Sequence, residues 1–208
     1  MSLRLGDTAP DFHAETTDGP IDFHAWKGDS WVVFFSHPAD YTPVCTTELG
    51  RAAGLGDRWA SRGVKPIALS VDSLDDHLGW APDIAEVTGN ELNFPIVADP
   101  DKLVAEAYDM IHPGEGDTST VRSVFIIDGS HTIRTILTYP KSVGRNFDEI
   151  VRVVDALQAT DADPIATPAD WQPGDRVIVP PTMSTEEART KLHNVDEVKP
   201  YLRYADAP

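Results

Sequence analysis

The sequence predicts an α/β fold: a mixed central sheet flanked by helices, followed by a small C-terminal extension. Short apolar runs rich in β-branched and aromatic residues alternate with segments of helical periodicity along most of the chain. Two later runs, 121–128 and 131–138, are joined by a Gly-Ser turn and are typical of a hairpin. Beyond residue 161 prolines become frequent and only one short strand, 176–179, is predicted.

The elements are expected in the following order. The uninterrupted apolar run 31–36 predicts a strand buried on both faces. In the stretch 43–62 apolar residues recur every three to four positions, which predicts a helix, and its internal glycines favour a kink. Pro82 must lie near an end of its helix or at a kink. Further strands are predicted at 64–71 and 94–98, and further helices at 75–89, 103–108 and 147–159.

Length and composition suggest one large domain with an appendage. The 208 residues are ample for a core. We expect a principal domain over residues 1–160 and an extension over 161–208. Because the extension shows little apolar periodicity, we expect it to bury no core alone and to form a small lobe or an arm that packs on a partner subunit.

The charge of the chain argues against two classes of partner. Lys and Arg number 17 and Asp and Glu 34, which gives a formal net charge of −17. Phosphate backbones and anionic membrane surfaces repel such a chain on average, so we expect neither nucleic acid nor membrane as a partner. A single cysteine forms no internal disulfide, and no apolar run at the start is typical of a signal peptide. Both observations favour a reducing, cytoplasmic location.

The single cysteine, Cys45, follows the predicted strand 31–36 and comes at the start of the predicted helix. Ligands of open α/β sheets collect at the carboxyl ends of strands. A helix N-terminus offers unpaired N–H groups and partial positive charge, which stabilise a thiolate. The thiolate is the nucleophilic form, so Cys45 is the candidate nucleophile.

Three neighbours suit a thiolate that attacks the O–O bond of a peroxide. Thr42, three residues earlier, supplies a hydroxyl that can hold a peroxide oxygen and is also placed to cap the helix. Pro38 is placed to shield the sulfur. Arg122, at the head of a buried-looking strand, is the candidate cation for the thiolate and for the charge that develops on the leaving oxygen.

The pattern Pro38-x-x-x-Thr42-x-x-Cys45 resembles the active-site motif of the peroxiredoxins. Segments across nearly the whole chain are similar to the one-cysteine subfamily: 37–50, 139–140, 144–146, 166–171 and 200–204. The resemblance implies a thioredoxin-like peroxidase domain and a C-terminal extension that helps to form dimers or rings of dimers. It also implies that Cys45 is the peroxidatic cysteine and that Pro38, Thr42 and Arg122 surround it.

Three further residues keep more than one interpretation. Arg145 matches a second arginine often found near the thiolate in this subfamily; the alternative is that it binds Asp148 or solvent. His37 precedes the motif proline and is a general base, a substrate contact or a structural histidine. Glu48 follows Cys45 by one helical turn, where it can meet Thr42 or an arginine and orient the site.

The resemblance implies reduction of hydrogen peroxide and organic hydroperoxides through a sulfenic acid on Cys45. Because the chain has no second cysteine, an external thiol must reduce that sulfenic acid. We expect no cofactor, and no metal because the other histidines lack ligand spacing.

Three other functions are alternatives to a peroxidase. A thiol–disulfide oxidoreductase needs a second cysteine where Glu48 stands. A cysteine hydrolase using Cys45 and His37 needs a third, orienting group, and no clear one is present. A non-enzymatic, ring-forming holdase or scaffold would retain the fold alone, and a Cys45→Ser variant separates it from a peroxidase.

Overall fold

The computed structural model describes residues 2–208. The chain divides into two compact units, the first ending at Phe147 and the second comprising Asp148–Pro208. The first unit contains, in chain order, β1 (His13–Ala14), β2 (Ile21–Asp22), α1 (Phe23–Lys27), β3 (Trp31–Ser36), α2 (Pro43–Ala53), α3 (Gly56–Ala60), β4 (Val64–Ser70), α4 (Leu74–Thr88), β5 (Ile96–Ala98), α5 (Leu103–Ala107), a 3-10 turn (Pro113–Glu115), β6 (Arg122–Ile127) and β7 (Ile133–Tyr139). Then follow α6 (Phe147–Ala162), β8 (Val177–Ile178), α7 (Thr185–Lys191), β9 (Asp196–Lys199) and β10 (Leu202–Ala205).

A five-stranded mixed sheet organises the first unit, in the order β5-β4-β3-β6-β7. Strands β3, β4 and β5 are parallel, and β6 and β7 are antiparallel to their neighbours. The strand β3 lies at the centre, and five of its six residues are buried, as its apolar run predicts. Phe34 of β3 packs edge-on against Tyr108 at 4.8 Å and joins a core that includes Ile67 and Phe125.

The predicted kink in the stretch 43–62 is a break between two helices. Gly54 ends α2, and α3 begins at Gly56. Gly50 stays inside α2, and its lack of a side chain serves packing, because a Cβ there would lie 2.4 Å from side-chain atoms of Thr88 on α4. This close approach brings α4 against the helix that carries Cys45.

Both ends of α4 are defined by local chemistry. Ser73 accepts the backbone N–H of Asp76, whose carboxylate in turn accepts from Ser73. Gly89 ends the helix in the left-handed region, with φ of 73°. Pro82 lies in the helix interior, away from its ends, where it withholds one N–H from the helical pattern.

The second unit is richer than the sequence indicated. It holds a three-stranded antiparallel sheet, β8-β10-β9, together with α7. Trp171, Met183 and Leu192 are among eight buried residues that form a core cluster in this unit. The expectation that the tail buries no core is therefore wrong, because its apolar residues are spread over loops and very short strands without a period. None of the helices in residues 2–208 is both long and apolar enough to cross a membrane.

We predict that Ser73→Ala lowers the free energy of unfolding by about 1 kcal/mol, because the first turn of α4 loses its cap. Urea denaturation measures the change. Ser73→Asn, which keeps a capping oxygen, should stay within a few tenths of a kcal/mol of the wild type; equal losses in both variants would contradict the capping role.

Candidate active site

Cys45 lies in the first turn of α2, directly beyond the carboxyl end of the central strand β3. Pro43 occupies the first turn, where its missing N–H costs nothing and its fixed φ suits a helix. Thr42 is the N-cap residue, with extended backbone angles. Cys45 has no exposed surface, so a substrate must enter the site to reach its sulfur.

Arg122 contacts the sulfur directly. Its Nη1 lies 3.3 Å from Cys45 Sγ and donates to Glu48 Oε2 at 2.7 Å. Nε and Nη2 donate to the carbonyl of Lys141 at 2.9 and 2.6 Å. Arg122 is only 2% exposed. Its guanidinium is hydrogen-bonded to Glu48 on one side and to Lys141 on the other, so its charge is fixed beside the thiol.

Glu48 joins Arg122 to Arg145. Arg145 donates to Glu48 Oε1 from its backbone N–H at 2.7 Å and from Nε at 2.9 Å, and to Oε2 from Nη2 at 2.7 Å. Its Nη1 donates to the carbonyls of Ser36 and Ser123. Arg145 therefore directs these donors at Glu48 and at two strands of the sheet.

These four groups form a buried charge cluster, which we call the arginine–glutamate cluster: Cys45, Glu48, Arg122 and Arg145. Burial acts to raise the pKa of Glu48, but the hydrogen bonds and charge of Arg145, and then the charge of Arg122, outweigh it and hold that pKa below 4.5. With Glu48 ionised the cluster carries a net +1 while the thiol is protonated and zero when it is a thiolate. Buried charges need a balancing partner, and the cluster therefore leaves one positive charge uncompensated next to Cys45 Sγ.

The motif residues Thr42 and Pro38 lie just before the first turn of α2. The Thr42 hydroxyl donates to the carbonyl of Ala39 at 2.8 Å and makes no side-chain cap, although the residue stands at the N-cap position. Its lone pairs can still accept a hydrogen bond from a bound hydroperoxide. Pro38 is buried between the end of β3 and this loop.

His37 is buried in a group that the sequence did not reveal. Its Nε2 lies 2.7 Å from Asp40 Oδ1, and Asp40 Oδ2 lies 2.5 Å from His77 Nδ1. His77 comes from α4, 37 positions beyond Asp40, and no local spacing signals such a contact. One ligand atom from each of the three lies within 4.8 Å of the others, as in some metal sites. The expectation of no metal stays a prediction.

A cavity of about 410 Å³ opens beside the motif, between the first turn of α2 and α4. It is lined by Tyr41, Thr42, Pro43, Thr46, Thr47, Trp80, Asp83 and Val87. A cavity of about 470 Å³ around Trp26 and Trp59 includes none of the motif residues. The smaller cavity is thus the one that offers space next to Thr42.

Comparison with known proteins supports the same interpretation. The model of the AhpC/TSA family matches residues 5–136, and that of the C-terminal domain of 1-Cys peroxiredoxin matches residues 156–194. A 1-Cys peroxiredoxin of Dictyostelium discoideum is 47% identical over 207 residues, which cover 99% of this chain and 86% of that protein. The chain belongs to the peroxiredoxin family.

Two solved structures have the same fold. A cysteine-to-serine mutant of peroxiredoxin 6 from Arenicola marina superposes with a TM-score of 0.94 at 44% identity, covering 100% of this chain and 99% of that one. The yeast mitochondrial 1-Cys peroxiredoxin gives a TM-score of 0.92 at 47% identity, covering 98% and 99%. The predicted thioredoxin-like α/β class is confirmed, and the protein is a thiol-dependent peroxidase with one cysteine.

We predict that Glu48→Gln lowers the free energy of unfolding by about 3–5 kcal/mol near neutral pH, because two buried arginines lose their anionic partner. The pKa of Glu48 is depressed by folding, so its stabilisation is complete above pH 4.5 and is lost as the pH falls below that value. Denaturation at a series of pH values should show the two proteins converging in acid.

Glu187→Gln is the matched control, since Glu187 pairs with Lys191 on an exposed helix face. It should change stability little at any pH. A Glu48→Gln variant as stable as wild type, or a difference that widens in acid, would contradict the cluster.

Proposed function

We propose that Cys45 reduces hydrogen peroxide and organic hydroperoxides within the arginine–glutamate cluster. The observation that carries this proposal is the contact of Arg122 Nη1 with Cys45 Sγ at 3.3 Å, shared with Glu48. One guanidinium there favours the thiolate before reaction and stabilises the leaving oxygen during it. Two of its nitrogens are tied to Lys141, so it need not reorganise.

In the first half of the cycle the hydroperoxide oxidises Cys45. The thiolate attacks the terminal oxygen of the hydroperoxide, an S–O bond forms and the O–O bond breaks. Sulfur is oxidised to a sulfenic acid, and the departing oxygen takes a proton and leaves as water or an alcohol. Arg122 directs four of its five N–H groups at Cys45, Glu48 and Lys141, and the remaining N–H on Nη2 can hold the reacting peroxide.

The other predicted site residues take supporting roles in this proposal. Thr42 accepts a hydrogen bond from the hydroperoxide while its own hydroxyl continues to donate to the carbonyl of Ala39. Pro38 shields the sulfur from solvent. Arg145 acts as a positioning residue that orients Glu48 and, through it, Arg122, because its donors are directed at Glu48 and at backbone carbonyls.

The second half of the cycle needs an external thiol. With a single cysteine no disulfide forms within the chain, so an external thiol attacks the sulfenic acid and water leaves as the mixed disulfide forms. A second thiol equivalent then attacks the external sulfur of that mixed disulfide and frees Cys45 as a thiol. The yeast relative is described as resolved through glutathione and thioredoxin systems, and we propose a reductant of the same kind here. Because Cys45 is buried, the first turn of α2 must loosen to admit it.

We further propose that residues 1–160 act as the peroxidase domain and that residues 161–208 form an arm that joins two subunits into a homodimer or a ring of dimers. On the hairpin of β9 and β10, Val198 and Tyr201 are 53% and 76% exposed, which suits a surface that another chain covers. We propose the cytoplasm as the compartment, although the yeast relative is described as mitochondrial. Cell fractionation tests the compartment.

We predict that one equivalent of hydrogen peroxide adds one oxygen atom to Cys45, detected by intact mass and reversed by added thiol. Cys45→Ser should gain no oxygen. Unchanged mass of the wild type together with rapid ester turnover would favour the cysteine hydrolase, and unchanged mass with holdase activity alone would favour the scaffold.

We predict that Arg122→Lys lowers the second-order rate constant of this oxidation about a hundredfold, because lysine cannot bridge the sulfur, Glu48 and Lys141 at once. Stopped-flow tryptophan fluorescence measures the rate. Arg176→Lys, at a half-exposed arginine in the second unit, is the control, and equal rates in all three proteins would rule out the proposed role of Arg122.

We predict that Tyr201→Asp shifts the solution mass towards the monomer, measured by light scattering. Leu103→Asp replaces a similarly exposed residue, 71% accessible, outside the arm and should leave the mass unchanged. An unaltered mass for Tyr201→Asp would count against the arm.

A further inference from the structure

The histidine–aspartate relay, defined here as His37, Asp40 and His77, lies at the loop that leads into the motif. The side chains of both histidines are fully buried and that of Asp40 is 2% exposed. The carboxylate uses one oxygen for each imidazole, at 2.7 and 2.5 Å. A carboxylate buried between two imidazoles destabilises a protein unless each polar group has a hydrogen-bond partner.

The hydrogen-bond partners indicate which nitrogen atoms of the relay carry a proton. Burial acts to raise the pKa of Asp40, but the hydrogen bonds from His37 and His77 outweigh it and hold that pKa below its ordinary value. An ionised carboxylate only accepts, so Nε2 of His37 and Nδ1 of His77 both donate. Nε2 of His77 lies 3.2 Å from the carbonyl of Val97.

His37 is left as the neutral imidazole with its proton on Nε2. Burial holds the pKa of His37 below its ordinary value in spite of Asp40. Its Nδ1 is buried and has no hydrogen-bond partner among residues 2–208. The main chain of His37 is fixed by Leu69 and Thr120. An unpaired buried acceptor of this kind is rare in a packed protein.

Asp40 belongs to a loop whose backbone is strained at the next residue. Tyr41, between Asp40 and Thr42, has a φ of 53°, a costly value for a tyrosine. Asp40 donates its backbone N–H to Asp72 at 2.9 Å. The Tyr41 hydroxyl lies against Gly79 of α4, where a Cβ would come within 2.6 Å of it. The loop is therefore held from α4 on one side and from the end of β4 on the other.

We propose that Asp40 and His77 are positioning residues of the peroxidase reaction, which fix His37 in its Nε2–H form and fix the Pro38–Thr42 loop in the geometry that places Thr42 next to Cys45. The proposal rests on the proposed function of Cys45. The charged or titratable groups that face Asp40 are His37 from its own loop, His77 from α4 and Asp72 from the end of β4. Each carboxylate oxygen accepts one of these hydrogen bonds, and the proposed role needs no metal ion.

The test compares two substitutions at one position. His77→Leu removes the donor to Asp40, whereas His77→Asn places an amide N–H where Nδ1 was. We expect His77→Leu and Asp40→Asn to slow the oxidation of Cys45 by hydrogen peroxide at least tenfold. We expect His77→Asn to recover the rate to within about threefold, and the reduction of the sulfenic acid by thiol to be unchanged in all.

Asp99→Asn is the matched control, because Asp99 is another buried carboxylate that accepts N–H groups of Val104 and Ala105 at the start of α5. It should lower stability without slowing the oxidation. A spectroscopic readout separates positioning from stability: ¹⁵N correlation spectra should show His37 protonated at Nε2 in the wild type, and a mixture of forms in Asp40→Asn.

The outcomes are distinct. A wild-type chain that peroxide does not oxidise refutes the proposed function itself. If peroxide oxidises the wild type normally and also oxidises Asp40→Asn and His77→Leu at the wild-type rate, the relay alone is overturned. A rate loss of the same size in Asp99→Asn would also overturn it. A wild-type rate that falls on treatment with EDTA would mean a metal site and would also overturn it.

Discussion

The buried ion cluster around Glu48 is the constraint on which the rest of the site depends. Two guanidinium groups share one carboxylate in a part of the protein from which water is excluded, and the sulfur of Cys45 is the fourth member. Without Glu48 both arginines would lose their anionic partner, and one positive charge of the cluster lies next to the sulfur without a second carboxylate. In the proposed function, stability and reactivity therefore depend on the same contacts.

The fold supplies this cluster from separated parts of the chain. Cys45 and Glu48 face the sheet one turn apart on α2, Arg122 begins β6, and Arg145 follows β7. Because β3 and β6 are adjacent in the sheet, the carboxyl end of one meets the amino end of the other. That antiparallel pairing brings Arg122 to the first turn of α2, and the carbonyl of Lys141 fixes its direction.

Much of the fold followed from the sequence because the central strands are uninterrupted apolar runs. The runs in β3 and β6 are buried almost throughout, and the helices 74–88 and 147–162 have clear apolar periods. The elements β1, β2 and α1 were not predicted, since two to five residues show no period. The core of the second unit was missed for the same reason.

The candidate site was predictable where the motif is local. Thr42 and Cys45 are three positions apart, and Arg122 was placed by family resemblance. Local patterns did not reveal that Arg145 would direct its donors at Glu48, nor that His77 would reach Asp40 across 37 positions. Contacts of that kind depend on how α4 packs on the sheet, which a period in the sequence does not encode.

The central proposal is that Arg122, 3.3 Å from the sulfur of Cys45, stabilises negative charge there. The ultraviolet absorbance of a thiolate, taken as the difference between the chain and its Cys45→Ser counterpart at neutral pH, measures this directly. We predict a thiolate band in the wild type that is largely lost when Arg122 is replaced by glutamine. A band of equal size in both proteins, or no band in the wild type, would contradict it.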